Sequence, residues 1–414
     1  MPSTTLLACR ICGNTDLVEV CHLGTQALTG IFPKPGEPEP SSGPLRLLKC
    51  NGDEEDICGL LQLGDVYDLS ELYGAHYGYR SGLNPSMVVH LREKVSRILA
   101  IAPLRDNDLV VDIGSNDGTT LAAYPAGTQT FVGVDPSGQK FEEFYPTHAT
   151  LLPDFFSAAL MEKHYPGRRA RVITSFSMFY DLEQPLSFMK EVLDLLEDEG
   201  IWIFEQSYMP AMLKANAYDT VCHEHLEYYG LKQIKWMADR AHAKIVDVEF
   251  NDVNGGSFSV TLAKHDSPLP EFSALASLLE RERAMGLDTT APYLAFGDRT
   301  ARLREELVAF LRQARREGKR VAGLGASTKG NVVLQYCGID EELMESIGEV
   351  NQDKFGAHTP GSMIPIIPEN TLLDSDPDYL VVLPWHFRRF FETSDRFVGS
   401  CLVFPLPNLS FVQR

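Results

Sequence analysis

The sequence predicts an α/β protein in which two doubly wound sheets follow a small cysteine-rich module. Three observations carry that reading. Five of the eight cysteines fall within the first 58 residues of a 414-residue chain. From about residue 85 onward, apolar strand-like runs (LVVDIG, TFVGVD, ARVITSF, GIWIFEQ) alternate with helical stretches, the pattern of parallel strands joined by crossover helices. A further strand, Gly-rich loop and helix, KRVAGLGASTKGNVVLQYCGI, opens a second such unit in the last third of the chain.

Domains usually hold about 100–200 residues, so a chain of this length divides into two or three. The expected boundaries are 1–75 for the cysteine-rich module, 76–265 for the first α/β domain, 266–300 for a helical connection and 301–414 for the second α/β domain. Hydrophobic residues at 44% and charged residues at 23% suit a folded chain. A formal net charge of −20 repels phosphate backbones and anionic lipid, which argues against nucleic acid and membrane partners. The N-terminus MPSTTLLACR lacks a signal-peptide pattern and no run is long and apolar enough to span a bilayer, so the expected location is cytoplasmic.

In the first module, Cys9 and Cys12 form a C-x2-C knuckle followed by Cys50 and Cys58. In a reducing compartment, two cysteine pairs are the ligand set of a closed, tetrahedral structural zinc site. The second pair has the wide spacing C-x7-C, and Cys21 or His22 is an alternative ligand.

In the first α/β domain, VVDIGSNDGTTL puts Asp112, Gly114, Asn116 and Gly118 where a strand turns into a helix and the backbone can approach a ligand. A dinucleotide fold asks for G-x-G-x-x-G, whereas this turn reads D-x-G-x-x-x-G, the first motif of class I methyltransferases. The next strand ends in FVGVDPS, placing Asp135 and Pro136 where a carboxylate takes two ribose hydroxyls. Asp154 and Phe155 of LPDFFS are candidates for the adenine edge and face. Together these predict S-adenosylmethionine as cofactor. SFSMFYDLEQP lies at the carboxyl end of the fourth strand, so Ser175, Met178, Phe179 and Tyr180 are candidates for the boundary between donor and acceptor.

DTVCHEHLEYYG packs His223, Glu224, His225 and Tyr229 into one short segment. Its HEH spacing lacks the i, i+4 geometry of helical zinc enzymes, so acid–base work is the stronger functional reading. In the last domain, GLGASTKGN predicts an anion nest of backbone amides at Ser327 and its neighbours, with Lys329 as counter-charge and Asn331 close by. Thr328 stands where a third Gly belongs, which favours a nucleotide diphosphate over a nicotinamide dinucleotide. Glu349 and Asn351 follow the next strand as candidate ribose or base contacts.

With these residues the chain resembles the sugar C-methyltransferases that act on nucleotide-linked 4-keto sugars, over nearly its full length. CRICG with CGLLQLG resembles their zinc-binding module, VDIGSNDGT and MFYDLEQP their methyl-donor domain, and YDTVCHEHLEYY their active-site segment. GASTKGN, HTPGSMIPI and LPWHFR resemble their C-terminal domain. The resemblance implies His225 as the base, with Glu224 beside it, and Tyr77 and Tyr79 of HYGYRSGLN as residues that reach the sugar. Family members can carry Tyr where this chain has Cys222, a departure in the sugar pocket.

A carbon–carbon bond needs a carbon nucleophile, which here requires removal of a proton beside a ketone. Neutral His225 can accept that proton. Candidates to hold the enolate oxygen are Tyr229, Tyr79 and His223, with Glu224 orienting His225. Two other functions compete: a nucleotide-sugar ketoreductase with a nicotinamide cofactor on the C-terminal loop, and a non-catalytic, zinc-scaffolded binding protein. The intact Asp112 and Asp135 speak against the second, the missing third Gly against the first.

Overall fold

The computed structural model describes residues 4–52, 54–67 and 80–414; Tyr77 and Tyr79 lie outside them. The N-terminal module contains β1 (Thr4–Thr5), β2 (Leu17–Ala27), β3 (Ser42–Cys50), β4 (Leu61–Leu63) and β5 (Asp65–Val66). β2, β3 and β4 pair antiparallel in sequence order, and β1 pairs with β5.

The first α/β unit begins with helix α1 (Pro85–Ile101), started by Pro85 and by the Asn84 side chain, which accepts the Ser86 amide. β6 (Leu109–Ile113), β7 (Thr130–Val134), β8 (Ala149–Leu152), β9 (Ala170–Phe176) and β10 (Leu196–Ser207) follow. All five residues of β6 are buried, as expected for a parallel strand covered on both faces. The short β11 (Glu227–Tyr228), helix α2 (Leu231–Arg240), β12 (Ala243–Asn251) and β13 (Ser257–Lys264) complete this part of the chain. The strand order is β12-β13-β10-β9-β6-β7-β8, with β13 antiparallel to both its neighbours.

β11 does not join that sheet. It continues from His223–His225 and pairs antiparallel with β4, Glu227 opposite Gln62 and Tyr228 opposite Leu61, so it is the fourth strand of the N-terminal sheet. The HEHLEYY segment is therefore held by the cysteine module as well as by the α/β unit that contributes it.

Helices α3 (Leu275–Ala284) and α4 (Ala291–Arg316) lead to the second unit. α4 buries Tyr293, Phe296, Thr300, Leu303, Leu307, Leu311 and Ala314 at helical spacing. It lies across β2, and Gly297 makes that approach possible, because a Cβ there would sit 2.5 Å from the Val20 carbonyl oxygen. The second sheet contains β14 (Val321–Leu324), β15 (Ile347–Glu349), β16 (Ile366–Pro368), β17 (Tyr379–Val382), β18 (Cys401–Phe404) and β19 (Ser410–Gln413). Its order, β16-β15-β14-β17-β18-β19, is parallel except for β19. Helix α5 (Thr328–Cys337) follows β14. Strand order reverses between β14 and β17, so the ligand crevice of this unit lies beyond their carboxyl ends. No helix among the described residues is long and apolar enough to cross a membrane.

Candidate active site

The four predicted thiols converge. Cys9 Sγ lies 3.4 Å from Cys58 Sγ and Cys12 Sγ 3.5 Å from Cys50 Sγ, and all four sulfurs fall within 4.8 Å of one another. A tetrahedron with metal–sulfur bonds of about 2.3 Å has edges of about 3.8 Å, so the cluster fits a zinc ion. Gly13, at φ 73°, closes the first knuckle by donating to the Cys9 carbonyl, and Asn14 Nδ2 donates to Cys50 Sγ at 3.4 Å. The wide C-x7-C spacing is bridged by the loop between β3 and β4. Cys21 belongs to another part of the core and His22 faces Glu19 at 3.9 Å, so neither alternative ligand joins the cluster.

At the carboxyl end of β6 the chain turns through left-handed backbone at Gly114 (φ 72°), Asn116 (φ 50°) and Gly118 (φ 73°). Asp112 is buried beneath this turn and accepts a hydrogen bond from Thr174 Oγ1 at 2.6 Å; burial pushes its carboxyl up to about 7. Asp135, at the end of β7, accepts from the Asn116 amide (2.8 Å) and from Ser137 N–H and Oγ–H (2.7 and 2.6 Å). A ribose reaching Asp135 therefore has to share or displace these donors. Pro136 next to it, and Asp154 and Phe155 beyond β8, are exposed. Met178 closes on the turn: a Cβ on Gly114 would stand 3.0 Å from Met178 Cγ. Ser175 is different. It is fully buried and its hydroxyl accepts the Trp202 indole N–H at 2.9 Å, so it is a core contact beneath the crevice.

His225 stands edge-on to Tyr180 with ring centroids 4.5 Å apart. Its Nδ1 is 2.9 Å from the Thr220 carbonyl. A carbonyl only accepts, so Nδ1 carries the proton and Nε2 presents the lone pair. Burial, opposed by the Thr220 bond and assisted by the Lys329 charge, lowers His225 to about 4. The imidazole is thus neutral at physiological pH. His225, Tyr180, Thr220, Glu227 and Tyr228 share the lining of a small cavity with Ser207, Met209 and Met212.

The other three candidates for acid–base work face elsewhere. Glu224 turns toward Gly30, where a Cβ would meet its Oε1 at 2.6 Å, and burial raises its pKa. The partner that orients His225 is the Thr220 carbonyl, and not Glu224. His223 is fully buried against the N-terminal sheet, with Nε2 3.4 Å from the Gly43 carbonyl and its ring edge-on to Tyr67. Tyr229 is fully buried and stacks on Phe179 at 5.5 Å, inside the core that also holds Cys9, Cys50 and Cys58. Neither His223 nor Tyr229 is placed to hold an oxyanion near His225. Cys222 is fully buried as well, which pushes its thiol far up.

The C-terminal Gly loop does not form an open anion nest. Glu349 fills it: Oε2 accepts the Ala326 amide at 2.9 Å, and Oε1 accepts the Val350 and Asn351 amides at 2.7 and 2.9 Å. Ser327 Oγ caps α5 by accepting the Gly330 amide. Asn331 is buried, donating to the Thr29 carbonyl at 2.7 Å, and Asn351 caps its own turn through Asp353 N–H. A diphosphate at this loop would face the Glu349 carboxylate.

Lys329 points away from the loop, across to the hairpin tip between β12 and β13, where Nζ donates to the Asn254 carbonyl at 3.0 Å. Around it stand groups the sequence reading passed over. Trp385 Nε1 donates to Asp219 Oδ2 at 2.8 Å, and a Cβ on Gly255 would lie 3.7 Å from Trp385 and 3.8 Å from His386. Trp385 and His386 follow β17, at the crevice where strand order reverses. That position, with the aromatic and imidazole pair of LPWHFR directly after a strand, was the available signal.

Together these observations define a class I methyltransferase sheet joined to a cysteine module and a second α/β unit. Profile comparisons agree: residues 9–73 match a zinc binding domain, 87–248 a methyltransferase domain and 252–407 a C-methyltransferase C-terminal domain. The chain is 30% identical over 403 residues to the C-methyltransferase NovU of Streptomyces niveus, covering 94% of each chain. It belongs to this C-methyltransferase family. Among solved structures, the CcbJ methyltransferase from Streptomyces caelestis is 13% identical, covering 42% of this chain and 89% of that one at a TM-score of 0.33. The plantazolicin methyltransferase BpumL in complex with SAH is 12% identical, covering 44% and 85% at a TM-score of 0.34. Likenesses this weak bear on no point of the site.

Proposed function

We propose that the protein methylates a nucleotide-linked 4-keto sugar at the carbon beside the ketone, with S-adenosylmethionine as donor and a structural zinc ion on Cys9, Cys12, Cys50 and Cys58. The observation that carries this reading is His225: a neutral imidazole with Nδ1–H fixed on the Thr220 carbonyl and Nε2 free to take a proton. Asp112, the Gly114–Gly118 turn and Asp135 are the groups that would hold the donor, with Asp154 and Phe155 at its adenine and Met178 beside the turn. The bound donor supplies an electrophilic methyl group.

In the reaction, Nε2 of His225 takes the proton on the carbon next to the ketone. The C–H electron pair becomes the enolate double bond and the ketone π pair moves to oxygen. What the donor would supply is its methyl group to that carbon, with the sulfur–carbon pair kept on sulfur and the ketone re-formed. Tyr180, edge-on to His225, bounds the sugar site; Tyr77 and Tyr79 remain candidate sugar contacts. Carbon attack requires the enolate carbon in line with the methyl group at about 3–3.5 Å.

Incubating the enzyme with S-adenosylmethionine and a nucleoside-diphospho-4-keto-6-deoxyglucose should give a product heavier by one CH₂. Its new methyl carbon should be bonded to a ring carbon adjacent to the ketone by NMR. A methyl ether, or hydride transfer from NADPH without methylation, would refute the reading.

A further inference from the structure

Lys329 serves no anion at the Gly loop: Glu349 already accepts the Ala326 amide there, and the lysine side chain turns elsewhere. Its side chain crosses from the first turn of α5 to the tip of the β12–β13 hairpin. α5 packs on the short turn Tyr218–Thr220, which supplies both Asp219 and the carbonyl that holds His225. The ammonium therefore lies beside the turn that carries the Thr220 carbonyl, reached from the opposite α/β unit.

We infer that Lys329 is the electrophile of the reaction, donating to the ketone oxygen as it becomes an enolate while His225 takes the neighbouring proton. This rests on the proposed proton removal. The physical case is one of competing charges. A cation beside a base makes the base weaker, and the Lys329 charge does depress both His225 and His386. Proton transfer to His225 alone would then bring two cations together in a part-buried cleft, where repulsion is poorly screened. The arrangement becomes favourable only if an anion forms between them at the same moment, and the enolate oxygen is that anion. Asp219, whose Oδ2 is held by Trp385, is the nearby opposite charge: burial raises Asp219 and lowers Lys329, and each opposes that effect on the other. Of the three ammonium N–H groups, one is taken by Asn254, leaving donor capacity for the ketone. No atom beyond the substrate proton changes hands: burial lowers the Lys329 pKa, the Asp219 charge opposes that, and the ammonium keeps its proton in the proposed step.

Removing one preorganised oxyanion donor costs about 10²–10³ in turnover. Lys329→Met should therefore lower both kcat and the rate of solvent-deuterium exchange into the keto sugar, measured with S-adenosylhomocysteine in place of the donor, by about that factor. KM for the nucleotide sugar and affinity for S-adenosylhomocysteine by calorimetry should change less than about threefold, because the lost interaction strengthens only in the transition state. The acid limb of the exchange profile should move to higher pH, since the charge that depresses His225 is gone; a merely structural lysine would leave it in place. Lys329→Arg, which keeps the charge, should recover part of the exchange and guards against a folding defect in the Met variant. A raised KM with wild-type kcat would overturn the inference in favour of a phosphate contact, and exchange unchanged in Lys329→Met would overturn it outright. His225→Asn separates the two ideas: if it still exchanges, proton removal by His225 fails, whatever Lys329 does.

Discussion

The two α/β units solve the same local problem in the same way and are then put to different use. In the first, the acid at the end of the second strand, Asp135, accepts the amide of Asn116 in the turn after the first strand. In the second, Glu349 does the same for Ala326. Each acid also gathers amides just downstream of itself, Ser137 in one case and Val350 and Asn351 in the other. What separates them is the surroundings. The first turn carries three left-handed positions, at Gly114, Asn116 and Gly118, with Met178 packed beside the first of them. The second has its amides occupied and sends a lysine out of the loop toward the neighbouring unit. A Gly-rich turn with an acid one strand later is thus a folding device first, and a ligand site only where the space beyond it allows.

Parallel substitutions in the two units sharpen this contrast. The largest effect is expected from Asp135→Ala, which should weaken S-adenosylmethionine binding by about 100-fold in calorimetry, the cost of two charge-assisted hydrogen bonds to ribose at about 1.5 kcal/mol each. Unchanged affinity would remove Asp135 from the donor site and make the two acids equivalent.

An intermediate effect concerns pH. A base works only when neutral, and burial holds His225 down to about 4 instead of the ordinary 6.5. Activity as kcat/KM should therefore stay level as pH falls through about 6.5 and decline only as it approaches about 4. A midpoint near 6.5 would mean that the cleft leaves His225 solvated.

The smallest effect on chemistry is expected from Glu349→Gln. It should leave donor affinity and KM within about twofold, and lower stability toward urea by about 1–3 kcal/mol, since a buried carboxylate that gathers three amides is replaced by a neutral group with only one acceptor oxygen. A large rise in KM instead would restore Glu349 as a nucleotide contact.

Much of this was readable in the chain. The cysteine pairs that cluster, the strand-end acids and the titratable HEH segment are local patterns, and local patterns survive folding. What stayed hidden depends on direction. Sequence spacing puts His223, Glu224 and His225 together, but successive side chains leave the backbone in different directions. One reaches Gly43, one Gly30 and only one the cavity. The orienting group of His225 is a backbone carbonyl, which no residue type announces. Lys329, Asp219, Trp385 and His386 come together only through the packing of α5 on the Tyr218–Thr220 turn and of the hairpin tip on the end of β17, contacts between residues more than 70 positions apart.

The central claim is that His225 removes the proton beside the ketone, and it can be tested apart from methyl transfer. Enzyme, keto sugar and S-adenosylhomocysteine in deuterated water should show loss of the α-proton signal by NMR. His225→Asn should abolish both this exchange and methylation, while calorimetry shows S-adenosylhomocysteine still bound. Exchange by His225→Asn at a rate near that of the unaltered protein would contradict the account.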